Sequence, residues 1–123
     1  MNNAINWFDL PATDIDRAVK FYNAILQVNM VAQDGMGGKT AFFPYDAPLA
    51  VGGAISTGDW YKPSETAGPL IYLNAGDDLT PVLERVEPAG GKVIVPKTSI
   101  GENGAIAVFI DSEGNRVGLH SNG

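Results

Sequence analysis

The stretch WFDLPATDIDRAVKFY, Trp7 to Tyr22, changes its hydrophobic period halfway along. From Ile5 to Ala12 the period is two, which predicts a strand with Phe8 and Leu10 on one face and Trp7 and Asp9 on the other. Pro11 places the end of that strand, or a sheet edge, nearby. Thr13 then reads as a helix N-cap, followed by acids suited to the positive end of a helix. Ile15, Ala18, Val19, Tyr22, Ile25 and Leu26 keep helical spacing, so the helix should run to about Leu26.

Beyond the helix, short strands are expected near Met30–Gln33, Thr40–Pro44 and Val51–Ser56. Thr57 to Gly68 is rich in Pro, Gly, Ser and Thr and reads as a linker that carries Trp60 and Tyr61. The pattern then restarts. Leu70–Ala75 is a strand, and Asp77 or Asp78 should cap a helix containing Leu79, Val82, Leu83 and Val86. Strands follow near Lys92–Pro96, Ala105–Ile110 and Asn115–Ser121. Phe8 and Leu10 recur 63 residues on as Ile71 and Leu73. Gly53-Ala54-Ile55-Ser56 recurs 65 residues on as Gly118-Leu119-His120-Ser121. The chain therefore reads as one domain, 1–123: a first module at about 4–56, a linker at 57–68 and a second module at about 69–121. Each half is too small to hold a core alone, so the two must share a sheet surface.

Composition bounds the function classes. Hydrophobic residues make up 45% and charged residues 18% of the 123 positions, a globular balance. The absence of cysteine excludes disulfides, thiolate metal sites and a Cys nucleophile. The net charge of −6, without any Lys/Arg cluster, leaves nucleic acid and anionic membranes as poor partners. Met1-Asn2-Asn3-Ala4 has neither a basic nor a long apolar run, so no signal peptide or membrane span is expected and the cytoplasm is the expected location.

The closing stretch GENGAIAVFIDSEGNRVGLHS, Gly101 to Ser121, contains a turn at Asp111–Asn115 and then a strand with a glycine inside it. That glycine, Gly118, lies two residues before His120, the chain's one histidine. Together with the opening stretch and GPLIYLNAGDDLTPVLERV (Gly68–Val86), it resembles the glyoxalase/bleomycin-resistance/extradiol-dioxygenase family of the vicinal oxygen chelate superfamily. The resemblance implies an α+β fold of two tandem βαβββ modules, with a curved mixed sheet around a cavity and helices on the outer face. It also implies a homodimer whose chains complete each other's sites. Metalloenzymes of the family place ligands on the first and last strand of each module. Carried over, those positions are Trp7, Gly53, Leu70 or Ile71, and Gly118, none of which offers a metal-binding side chain. No metal and no other cofactor is expected.

Strand alternation adds a predicted cavity lining of Trp7, Asp9, Ile55, Tyr72, Arg116, Gly118 and His120, with Leu70 and Asn74 beside Tyr72. Gly53 would leave room for a ligand, Trp60 and Tyr61 could form a lid, and Asp9 with His120 could form an acid/base pair. This lining favours metal-free binding of a small apolar or aromatic molecule. The alternatives are a lyase, isomerase or dioxygenase that uses an unusual metal site or the Asp9/His120 pair, and a dimeric interaction module without a ligand.

Overall fold

A computed structural model describes residues 3–46 and 50–123. The elements follow the duplication. Module one contains β1 (Trp7–Pro11), α1 (Ile15–Leu26), β2 (Gln33–Gly35), β3 (Gly38–Phe42) and β4 (Gly52–Ser56). Module two contains β5 (Ile71–Asn74), α2 (Thr80–Val86), β6 (Lys92–Ser99), β7 (Ala105–Ile110) and β8 (Arg116–Ser121). Each module builds a four-stranded mixed sheet, ordered β1-β4-β3-β2 and β5-β8-β7-β6. In both, the first strand runs parallel to the last, which a hairpin cannot connect; the helix lies on the crossover.

Register fixes which face is which. Leu10 sits opposite Ile55, and Leu73 opposite Leu119, and all four are buried in one core. The α1 face of Ile15, Ala18, Phe21, Tyr22 and Ile25 covers that core. Phe21 packs 5.9 Å from Phe109 of β7, while Tyr22 packs 5.4 Å from Phe43 after β3. One helix thus bridges both sheets on the side away from Trp7 and Asp9, and the modules share a single hydrophobic cluster.

The observed register corrects the repeat. Ile55 matches Leu119, a spacing of 64, so Gly118 corresponds to Ala54 and Gly53 to Val117. A slip of one residue turns a side chain to the other face. Ile55 is fully buried against the core and does not line the cavity, and Gly53 faces the same way.

The helix starts also differ from expectation. Asp14, not Thr13, is the N-cap of α1: its backbone is extended and its carboxylate accepts the Arg17 N–H at 3.1 Å. Leu79 occupies the cap position of α2, without a capping side chain, while Asp78 accepts the Thr80 N–H at 3.0 Å. β6 runs three residues past Pro96; a register irregularity and an edge position make that proline tolerable.

The turn between β7 and β8 does more than reverse the chain. The buried Glu113 carboxylate accepts the Thr13 and Asp14 N–H groups at 3.0 and 2.9 Å and Arg17 Nε at 2.6 Å. The buried Asp111 accepts the Tyr22 hydroxyl at 2.6 Å and both the backbone and side-chain N–H of Asn115. Asn115 Nδ2 also donates to the Pro11 carbonyl at 2.7 Å. Module two is thereby bolted onto the β1–α1 corner of module one.

Candidate ligand-binding cavity

The face of the first sheet opposite the helices is concave and holds a cavity of about 270 Å³. Alternation presents Trp7 and Asp9 from β1, Thr40 and Phe42 from β3, and Ala54 and Ser56 from β4. Tyr61, from the linker, lines it as well. Tyr61 and Met36 also line a neighbouring cavity of about 440 Å³, which Trp60 borders. Trp60 is 75% exposed, lies 6.3 Å from Tyr61 and sits over the second cavity, not over β1.

Three aromatic rings lie across glycines on a neighbouring strand. A Cβ added at Gly52 would come within 2.7 Å of the Trp7 ring. One at Gly53 would collide with Phe8, and one at Gly118 with Tyr72. None of these glycines has a positive φ, so it is space, not backbone conformation, that requires them. The room expected for a ligand above Gly53 and Gly118 is filled by the protein's own rings. Trp7 also meets Phe42 edge-on at 5.8 Å and Tyr45 edge-on at 6.1 Å, forming an aromatic wall.

The polar candidates separate. Asp9 Oδ1 accepts the Ser56 hydroxyl at 3.4 Å and Oδ2 the Tyr61 hydroxyl at 3.3 Å. His120 lies on the other sheet, where its Nε2 meets the Asn103 carbonyl at 2.6 Å. No hydrogen bond joins Asp9 to His120, so the structure does not assemble the expected acid/base pair. Arg116 is engaged by the linker: its backbone N–H donates to the Ser64 carbonyl and Nη2 to the Gly68 carbonyl at 3.0 Å. Tyr72 and Gly118 face each other on β5 and β8, and Tyr72 is 46% exposed. Reading residue types alone missed Thr40, Phe42 and Ser56. Thr40 and Phe42 flank the buried Ala41, so strict alternation along β3 carries the missing signal.

The residues present do not fit the divalent metal that the fold family implies. The inward positions that pair across the strands, Asp9 with Ala54 and Tyr72 with Gly118, supply a single carboxylate and no imidazole, too few donors to hold a divalent metal. Among the described residues, no three His, Asp or Glu side chains gather to hold a metal ion. No helix among them is long and apolar enough to cross a membrane.

A family model described as the Glyoxalase/Bleomycin resistance protein/Dioxygenase superfamily matches residues 4–119. CFP32 of Mycobacterium bovis, provisionally named a glyoxylase, is 32% identical over 117 residues, covering 93% of this chain and 44% of that protein. The anthracycline biosynthesis protein DnrV of Streptomyces peucetius is 31% identical over 119 residues, covering 88% of this chain and 43% of that one. The chain thus spans less than half the length of these relatives. A glyoxalase/bleomycin resistance protein from Albidiferax ferrireducens superposes with a TM-score of 0.76 at 18% identity, covering 98% of this chain and 100% of that one. TnmS3, an antibiotic binding protein from a Streptomyces species, gives 0.66 at 23% identity, covering 100% and 99%. At such identities these two structures establish the shared fold.

Proposed function

We propose that this chain, which belongs to the Glyoxalase/Bleomycin resistance protein/Dioxygenase superfamily, binds a small planar organic molecule without a metal. The observation that carries this reading is the first-sheet cavity, walled by the rings of Trp7, Phe42 and Tyr61, with Asp9, Thr40 and Ser56 among the polar groups its strands present. A flat ring gains most from such walls by stacking or edge contact. Relatives named for antibiotic binding and anthracycline biosynthesis support an organic small molecule as the ligand class. The separation of Asp9 from His120 removes the support for acid/base catalysis by that pair. A cytoplasmic homodimer belongs to the same proposal; the half-exposed Trp7, Phe42, Tyr45 and Tyr72 are the apolar surface that a second chain would cover.

The test is a screen of planar aromatic compounds by tryptophan emission and thermal shift, run in EDTA and again with added divalent ions. Stabilising hits should appear equally in both, and Trp7→Ala should weaken them about tenfold or more. Binding that depends on one equivalent of divalent metal per chain would overturn the proposal.

A further inference from the structure

Among the described residues, Asp9 is an acid without a counter-ion in an aromatic cavity. Its two oxygens meet, among those residues, hydroxyls alone, at 3.4 and 3.3 Å, long for bonds to a carboxylate. The single cation among the cavity-lining residues is Lys39, and its ammonium is bound to Asp34 at 2.6 Å. The lining therefore carries Asp9, Asp34 and Lys39, one negative charge in excess. Around that charge stand Trp7, Phe42 and Tyr61, whose ring faces also attract cations. The chain's net charge of −6 adds to the attraction.

Resting on the binding reading above, we infer that the ligand carries a protonated amine placed to meet the Asp9 carboxylate. Its aromatic part lies against Trp7 and Phe42, and its ammonium takes the place opposite Asp9 that the Tyr61 hydroxyl holds at 3.3 Å. An ammonium–carboxylate bond carries charge on both partners and closes to about 2.7–2.9 Å, shorter than the 3.3 Å hydroxyl contact it displaces.

A matched set of probes tests this directly: 2-naphthylmethylamine, 2-naphthylmethanol and 2-naphthoate have one ring system and three charges. Affinities are measured by tryptophan quenching at low salt and again at high salt. The amine should bind about tenfold to a hundredfold more tightly than the alcohol, and the carboxylate least tightly. High salt should narrow the gap. Asp9→Asn, nearly isosteric on an exposed strand position, should weaken the amine most and bring amine and alcohol within about threefold of each other. Equal affinity of all three probes for the native chain overturns the charge assignment and leaves aromatic binding standing. Failure of all three to bind overturns the aromatic reading and this inference together. An amine preference that persists in Asp9→Asn overturns the assignment to Asp9.

Discussion

Gly118 stands inside a buried strand because the Tyr72 ring lies flat over it, and the same relation joins Phe8 to Gly53 and Trp7 to Gly52. These pairs differ in how easily they could be relieved. Tyr72 is half exposed and its ring can swing outward, whereas Phe8 packs 5.4 Å from Phe43 over the core. Gly118→Ala should therefore cost about 1 kcal/mol and Gly53→Ala about 2–3 kcal/mol in urea denaturation. In a Tyr72→Ala background the Gly118→Ala cost should drop by at least half. An unchanged cost there refutes the explanation. The sequence shows a glycine inside the strand but not the ring that lies against it. The neighbour depends on interstrand register, and register depends on Leu10 facing Ile55 and Leu73 facing Leu119. Two glycines 65 residues apart imitate an equivalence that the strands set at 64.

The β7–β8 turn and the start of α1 form a joint, and its charges make stability depend on pH at both ends of the scale. Burial alone would raise the Glu113 carboxyl, but the Arg17 guanidinium and the Asp14 and Thr13 N–H groups outweigh it and hold it below its usual range. A depressed acid contributes stability that is complete above its ordinary value of 4.5 and is lost as pH falls through the folded value. Glu113→Gln should then cost about 2–3 kcal/mol at pH 7. The gap from the native chain should shrink steadily in denaturation runs as pH falls below 4.5. A gap independent of pH would show that the charge is irrelevant to the joint. Tyr22 behaves in the opposite sense. Burial first, and then the Asp111 charge, push its phenol well above 10.0. The native state keeps a proton that the unfolded chain gives up, so stability falls as pH rises above that value. Tyr22→Phe should cost about 1–2 kcal/mol at neutral pH and flatten the alkaline decline. The sequence shows a helix start here, and the acids of the first turn are legible as capping groups. That Glu113, 99 residues after Asp14, would neutralise the same turn is a tertiary fact, so Thr13 was freed from the capping role its residue type suggests.

The duplicated pattern gave away the architecture because each repeat states its own period twice, as strand and as helix. The cavity was legible in part. Trp7 and Asp9 emerge on the open face because β1 alternates cleanly, while Gly53 and Ile55 were displaced by the one-residue slip, and His120 sits on a different sheet from Asp9. Which sheet a residue joins is invisible to local periodicity. The shared core makes a further demand on the two modules. Phe21, Ile25 and Tyr22 of module one and Phe109, Val117 and Leu119 of module two belong to one buried cluster, so neither sheet keeps its apolar face covered if the other unfolds. The molecule should unfold as one unit. Both tryptophans lie before the second module, at Trp7 and Trp60, so their emission reports only on the first module and the linker. Phe109→Ala, made in the other module at a fully buried site, should destabilise the fold by about 3–5 kcal/mol. The tryptophan transition and the far-ultraviolet dichroism transition should move together to lower urea. If the dichroism splits and the tryptophan midpoint stays in place, the modules hold separate cores, and the bridging role given to α1 is wrong.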